Sequence, residues 1–202
     1  MLYTQIQKIK QSVLYNFMSK IFQIGFNKCG TSSIFYLFNN CCSSGLRCVH
    51  WDKGNIAKEI HYNVINNKKP ILGCYEDFDV FTDMEYYGHD GFIMAYRDYY
   101  KALDRNYAGS RFILNIRSVR RWLRSRLRHY GLSSDRDKVL RIWEKDWHEH
   151  ISDVLRYFSG RDNLLIFDIE NDDFGKFRNF FSDLNFTVDK FPWKNKGGCF
   201  FL

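Results

Sequence analysis

Short apolar runs alternate with amphipathic stretches along most of the chain. Apolar runs bounded by turn residues predict β-strands, and they fall at Ile21–Gly25, Arg47–Trp51, Ile71–Tyr75, Arg111–Ile116 and Leu164–Asp168. Stretches with helical periodicity lie between them, at Thr31–Asn40, Ile56–Asn66, Phe92–Ala108, Val119–Tyr130, Asp135–Phe158 and Asp173–Leu184. Strands that alternate with helices are typical of a parallel sheet. The pattern therefore predicts an α/β fold, a three-layer sandwich with a central parallel sheet of about five strands and helices on both faces.

The composition indicates one globular domain. The chain has 202 residues, 45% of them hydrophobic, which excludes a disordered protein. No Pro-rich or Gly/Ser-rich linker and no internal repeat divides it. We expect a single domain over residues 21–202, preceded by a basic, weakly amphipathic arm or helix over residues 1–20. No apolar run has the length of a transmembrane segment.

The charge favours a polyanionic partner. Thirty basic residues against 23 acidic ones give a formal charge of +7, which suits a nucleotide, a nucleic acid or an acidic membrane surface. Six arginines and no acid lie in the run from Arg117 to His129. A solvated helix face is the alternative interpretation of that run.

The cysteines point away from zinc. The six cysteines include no C-x-x-C pair, so we expect no structural metal site. A domain of this size folds without disulfides, so we expect reduced thiols and a cytoplasmic location. The final residues CFFL fit a prenylation pattern at Cys199, although their aromatic middle positions suit it poorly.

The loop after the first predicted strand has the features of an anion site. Ligands of parallel sheets collect at the carboxyl ends of the strands, and the segment GFNKCGTSS follows Ile21–Gly25 there. Its glycines allow a sharp turn, and the N–H groups of the helix start attract an anion. The hydroxyls of Thr31, Ser32 and Ser33 add donors and are expected to cap the helix.

This loop differs from the usual nucleoside triphosphate loop, G-x-x-x-x-G-K-[ST]. Thr31 stands at the lysine position, and the lysine of the loop is Lys28. The neighbouring run FILNIR does not end in an aspartate that could bind magnesium, which a kinase or ATPase needs. The loop therefore predicts nucleotide phosphate binding without a metal.

A second anion site is predicted after the run Arg111–Ile116. Arg117 ends the strand, and Ser125 follows two turns into the next helix. A guanidinium fork and a short hydroxyl suit a phosphate. Two phosphate sites at two strand ends fit a 3′,5′-bisphosphate nucleotide better than ATP.

The two segments together resemble the PAPS-dependent sulfotransferases, a family with a P-loop-like fold. FNKCGTSS is similar to the family's 5′-phosphosulfate loop P-K-S-G-T-T/S, with Asn27 for the proline and Cys29 for the serine, while Lys28, Gly30, Thr31 and Ser32 match. YAGSRFILNIRSVRRWLRS resembles the family's PGSKFILxxRDPxxWLxS, which holds the 3′-phosphate. The segment FPWKNKGG resembles the family's C-terminal loop near that phosphate, and contributes Lys194, Lys196, Gly197 and Gly198. The similarity covers about residues 21–198.

The resemblance implies transfer of a sulfuryl group from PAPS to an acceptor hydroxyl or amine, with no metal. Lys28 and the N–H groups of the loop would stabilise charge on the leaving phosphate, and Arg117 and Ser125 would hold the 3′ end. A general base must take the acceptor's proton. Four residues near predicted strand ends are candidates for it, Glu76 first, then His50, Asp79 and Asp83.

Two other functions stay open on the sequence. A P-loop phosphotransferase would bind ATP with a metal, and a non-enzymatic protein would bind nucleic acid through the arginine-rich run. Under the sulfotransferase interpretation we expect no nucleic-acid partner. The acceptor, which we expect to be a glycan, a small molecule or a peptide, is not identified, and a homodimer partner that closes the site is one further alternative.

Overall fold

The computed structural model describes residues 19–89, 91–131 and 135–194. Its centre is a five-stranded parallel sheet in the order β2–β3–β1–β6–β7. The strands of this sheet are β1 (Ile21–Gln23), β2 (Cys48–His50), β3 (Val80–Thr82), β6 (Arg111–Ile116) and β7 (Leu164–Asp168). A separate antiparallel pair consists of β4 (Glu85–Gly88) and β5 (Gly91–Met94). The predicted α/β class with a parallel sheet of about five strands is confirmed.

Helices connect the strands and cover the sheet. They are α1 (Thr31–Cys41), α2 (Asn55–Ile65), α3 (Ala95–Asp98), α4 (Tyr100–Asn106), α5 (Val119–Tyr130), α6 (Arg136–Tyr157) and α7 (Phe174–Phe180). Short 3₁₀ turns occupy Asp52–Gly54 and Gly73–Tyr75. Within the described residues, no helix is long and apolar enough to cross a membrane.

Side chains alternate across the sheet and build two hydrophobic cores. Successive strand residues point to opposite faces, so Phe22 joins one core and Ile21 the other. The first core packs the sheet against α2, α4, α5 and α6, and the second packs it against α1 and α7. Helices on both faces follow from this alternation.

Two predicted elements were wrong. Ile71–Tyr75 is not a strand, because Gly73 has a φ of +61° and opens the 3₁₀ turn. The third strand of the sheet is instead β3, a run of three buried residues outside the predicted strands. The start of the predicted helix Phe92–Ala108 forms β5, and the helical part is split into α3 and α4.

The order of the sheet fixes where a ligand could bind. β3 and β6 flank β1, and all three strands are parallel. The loops that follow them therefore meet at one edge, which we call the carboxyl edge.

Candidate functional site

The loop between β1 and α1, residues 24–30, lies at the centre of the carboxyl edge. A Cβ at Gly25 would collide with the backbone oxygen of Asn115, so only glycine lets β1 approach β6 so closely. Gly30 has a φ of +82° and is the N-cap of α1, which has no side-chain cap. The expectation that Thr31, Ser32 and Ser33 cap the helix was therefore wrong. The first N–H groups of α1 have no acceptor inside the helix.

Three successive carbonyl groups of this loop accept hydrogen bonds from β6 and the elements after it. Trp122 Nε1 donates to Asn27 O at 3.0 Å, Arg117 Nη1 to Lys28 O at 3.0 Å, and Asn115 Nδ2 to Cys29 O at 2.7 Å. In a trans peptide the N–H of the next residue points opposite to the carbonyl. The N–H groups of Lys28, Cys29 and Gly30 therefore all face away from β6, as in an anion-binding nest.

Arg117 donates hydrogen bonds both to Lys28 O of the loop and to the carboxylate of Glu170. Its Nε and Nη2 atoms donate to Glu170 Oε1 at 3.1 and 2.6 Å, and Glu170 also accepts from the Ser118 N–H at 3.1 Å. Burial of Glu170 tends to raise the pKa of its carboxyl, but the hydrogen bonds from Arg117 and Ser118 hold this pKa below its ordinary value. With the bond to Lys28, three of the five guanidinium N–H groups are used. Within the described residues, the other two N–H groups of Arg117 have no acceptor and are available to a ligand.

Ser125 is half-buried on α5, two turns after Arg117. Its hydroxyl has no hydrogen-bond partner within the described part of the chain. Ser125 lies in the middle of α5, and its hydroxyl proton is not used by another described residue.

His50 ends β2 and faces the loop. Its Nδ1 lies 2.8 Å from Thr82 Oγ1, and that hydroxyl donates to Val49 O at 3.2 Å. A hydroxyl has one proton to donate, so the bond from His50 places the imidazole proton on Nδ1. His50 Nε2 then carries a lone pair, 3.4 Å from Ser32 Oγ and 3.8 Å from Asp83 Oδ2. Burial lowers the pKa of His50 to about 4, so the ring is neutral at neutral pH.

An open groove of about 570 Å³ begins at His50. Phe35 stacks on the His50 ring with centroids 5.1 Å apart, and Tyr75 and Phe78 line the groove further along. Asp52 also lines it and accepts a hydrogen bond from the Tyr75 hydroxyl. The groove therefore has an aromatic wall, one carboxylate and a neutral imidazole at the end nearest the loop.

A buried polar cluster lies beside the loop, and its member Asp83 is also the neighbour of His50. Asn27 Nδ2 donates to Glu85 Oε1 at 2.5 Å and to Tyr130 OH at 3.2 Å. Burial raises the pKa of Asp83, and the positive charge of Lys28 opposes that rise. Burial raises the pKa of Glu85 further; the charge on Asp83 adds to this rise, while Arg126, Asn27 and Lys28 oppose it. Lys28 thus acts electrostatically on both carboxyls.

Two of the proposed bases lie at the opposite edge of the sheet. Ile21, the first residue of β1, donates its N–H to Asp79 O at 2.7 Å, and Lys20 Nζ donates to Glu76 O at 2.8 Å. Both carbonyls therefore belong to the amino edge. Glu76 was preferred because it follows the predicted strand Ile71–Tyr75, and the structure has no strand there. His50 and Asp83 are the proposed bases that the structure brings to the loop.

Several predicted nucleotide contacts lie elsewhere. Ser33 is buried, and its hydroxyl accepts from the Lys194 N–H at 2.9 Å. The Lys194 ammonium lies 3.5 Å from the centre of the Tyr36 ring. The Cys29 side chain is buried in the first core, and burial raises its pKa. Lys196, Gly197, Gly198 and Cys199 lie outside the described residues.

Three residues of the site were missed in the sequence. No local pattern in the sequence distinguishes Glu85, Arg126 and Glu170 from other charged residues, yet all three are largely buried. Glu170 follows the end of β7 by two residues, so the rule that ligands collect at strand ends could have found it. The chain matches no family model, and no curated protein sequence matches it.

Proposed function

We propose that the chain is a PAPS-dependent sulfotransferase with a P-loop-like three-layer fold. The observation that carries the proposal is the bond from Arg117 to Lys28 O, which joins the two predicted phosphate motifs at one point. A nucleotide with phosphates on both its 3′ and 5′ positions would span two such adjacent anion sites.

The residues present fit this nucleotide. The N–H groups of Lys28, Cys29 and Gly30, with the side chains of Thr31 and Ser32, would hold the 5′-phosphate. The two remaining N–H groups of Arg117, with the hydroxyl of Ser125, would hold the 3′-phosphate.

PAPS would supply an activated sulfuryl group on its 5′-phosphate. Lys28 and the loop N–H groups would stabilise the negative charge that grows on the leaving phosphate. Arg117 and Ser125 would fix the position of the nucleotide, which is mainly an orientational gain. The acceptor would approach from the side of His50 and Asp83, the proposed bases next to Lys28.

Nucleotide binding can be tested by thermal unfolding. PAP at about 100 times its Kd should stabilise the protein by ~2.7 kcal/mol, which raises Tm by roughly 5–10 °C. ATP with magnesium and a short oligonucleotide should shift Tm much less. Arg117→Ala should weaken PAP binding at least about tenfold, because a charged hydrogen bond is lost, whereas Lys28→Ala should mainly lower turnover.

Arg120→Ala is the matched control, since Arg120 is an exposed arginine three residues after Arg117, in the first turn of α5. The double variant Arg117→Ala with Glu170→Gln leaves no unpaired carboxylate and separates lost binding from local destabilisation. Unchanged PAP affinity in both Arg117 variants would contradict the assignment of the 3′-phosphate site.

A magnesium-dependent phosphotransferase is the second candidate. Asp83 directly follows β3, the neighbour of β1, and P-loop enzymes hold magnesium with such an aspartate and a loop hydroxyl. β6, on the other side of β1, is not followed by an aspartate. Thr31 at the lysine position counts against this function. A Tm shift with ATP that requires magnesium would favour it.

A further inference from the structure

Four unpaired polar atoms lie together beside the loop. Of the buried side-chain polar atoms that lack a partner within the described residues, four belong to Asn27, Asp83, Glu85 and Arg126. Asn27, Glu85 and Arg126 are only 4%, 8% and 3% exposed, and the Asp83 side chain is 18% exposed. Buried polar groups are nearly always paired, so this concentration points to a ligand that the cluster binds.

The unpaired atoms specify what such a ligand must offer. Asn27 Oδ1, Asp83 Oδ1 and Glu85 Oε2 are acceptors, and Arg126 Nε is a donor. A hydroxyl group both donates and accepts, so it can bond to a carboxylate and to Arg126 at once. An ammonium group only donates.

The charges of the cluster also disfavour an ammonium group. Lys28 and Arg126 supply two positive charges. These balance the two negative charges of Asp83 and Glu85 when both carboxyls are ionised. When the pair holds a proton, the cations are in excess. A further positive charge would therefore be buried without a partner, at a high cost.

The cluster lies where an acceptor must approach. Asn27 belongs to the loop, directly before Lys28, and its backbone carbonyl is fixed by Trp122. Lys28 acts electrostatically on both Asp83 and Glu85. The unpaired atoms are thus next to the lysine that would face the transferred group.

We infer that Asn27, Asp83, Glu85 and Arg126 form the acceptor subsite, that it selects a hydroxyl over an amine, and that its carboxyl pair takes the hydroxyl proton. This rests on the proposed function. In the transfer, the acceptor O–H bond breaks and its oxygen forms a bond to sulfur. The bond from sulfur to the 5′-phosphate oxygen breaks with its electron pair on the phosphate, and the proton moves to the carboxyl pair. Nothing is oxidised or reduced.

The environment of the pair agrees with this role. Burial raises the pKa of both carboxyls, and the charge on Asp83 raises that of Glu85 further, so the two do not ionise together easily. The charged and titratable groups around them are Lys28, Arg126, His50, His129, Tyr96 and Tyr130. The ionised partner can then accept the proton while the protonated one donates to the acceptor oxygen.

The test uses the full chain, labelled PAPS and a matched acceptor pair. Cyclohexanol is compared with cyclohexylamine, which is an ammonium ion at neutral pH, and water alone is the smallest hydroxyl acceptor. We expect transfer to cyclohexanol and to water, and a rate at least about tenfold lower for cyclohexylamine. Asp83→Asn should lower transfer about 100-fold or more, as loss of a proton acceptor does, with PAP binding kept within about twofold.

Control variants separate the outcomes. Glu76→Gln and Asp79→Asn remove carboxyls at the amino edge and should leave transfer unchanged. Glu85→Gln, checked for folding by circular dichroism, should reduce transfer as Asp83→Asn does. If PAP does not raise Tm, the proposed function itself fails.

Two results would overturn the inference alone while PAP binds and transfer is detected. They are equal rates for cyclohexanol and cyclohexylamine, and normal transfer in both Asp83→Asn and Glu85→Gln. In either case the unpaired atoms would bind only solvent. PAP binding without transfer to any acceptor, water included, would overturn the proposed function together with the inference.

Discussion

At the scale of single residues, His150 shows how a buried side chain holds the start of the loop between β1 and α1. Its Nε2–H donates to Ile24 O at 2.7 Å, where β1 passes into the loop. The ring lies between Phe26, Tyr96 and Tyr100, and burial lowers its pKa to about 4. The imidazole is therefore kept neutral under the loop that would bind an anion.

This low pKa makes stability depend on pH. An unfolded histidine has an ordinary pKa near 6.5, so between about pH 6.5 and pH 4 the unfolded chain binds a proton that the folded one does not. The free energy of unfolding should fall as pH is lowered through this window, with a slope on the order of 1 kcal/mol per pH unit from His150. His150→Gln should remove that part of the slope in urea unfolding measured from pH 7 to pH 4.

His148→Gln is the control for this prediction. His148 is exposed two residues away on α6, so its replacement should leave the slope unchanged. An identical pH dependence in both variants would mean that His150 is not kept neutral by its burial.

The candidate site residues that could be predicted are those with a local sequence signal. Lys28, Thr31 and Ser32 lie in the loop and helix start after β1, and Arg117 directly follows β6. Glu85 could not be found in the same way, because its partner Asn27 is 58 residues away in the chain. Burial of such acids is decided by tertiary packing and not by their neighbours in sequence.

At the scale of elements, α5 carries like charges along one face. Arg120, Arg124 and Arg128 are exposed and spaced by four residues, and like charges at this spacing destabilise a helix. The buried face of the same helix holds Trp122 and Arg126. The exposed arginines thus lower helix stability, which suits a surface that meets polyanions.

Arg124→Glu should stabilise the protein. It replaces two repulsive i,i+4 contacts by two attractive ones, each worth roughly 0.3 kcal/mol. Tm should rise at low salt, and the rise should shrink at 1 M salt, where charges are screened over about 3 Å. Arg124→Gln, which only removes repulsion, should give about half the effect. A rise that is independent of salt would exclude charge repulsion as its cause.

Element prediction succeeded where periodicity was long. The helix Val119–Tyr130 and the strands Arg111–Ile116 and Leu164–Asp168 were predicted with their exact limits. β3 has three residues, too few for any period to appear. Gly91–Met94 forms a strand because it pairs with β4, a contact that no local pattern reveals.

At the scale of the whole molecule, the two cores share one sheet. Phe22 of the first core and Ile21 of the second are consecutive residues of β1. Both cores therefore pack on the same strands. If one core loses its packing, the strands that support the other core are destabilised as well. The described domain should unfold in a single cooperative transition.

Phe177→Ala tests this coupling. Phe177 is fully buried in the second core, and its truncation should lower the free energy of unfolding by roughly 3–5 kcal/mol. Trp122 and Trp147 report on the first core, so their fluorescence should shift to the same lower midpoint as the far-ultraviolet circular dichroism. Phe180→Ala, on the same helix but only partly buried, should cost less. Separate midpoints for the two probes would show that the cores unfold independently.

The loops that follow β1, β2 and β3 have one more property in common. Seven non-glycine residues of the described chain have a left-handed backbone, and five of them lie in these loops: Lys28, Trp51, Asp52, Lys53 and Asp83. Each such residue costs on the order of 1 kcal/mol relative to a relaxed conformation. The rest of the fold must therefore supply surplus stability to hold the carboxyl edge under strain. Glycine at the exposed positions would relieve that strain, and the shape of the edge would then be less firmly defined.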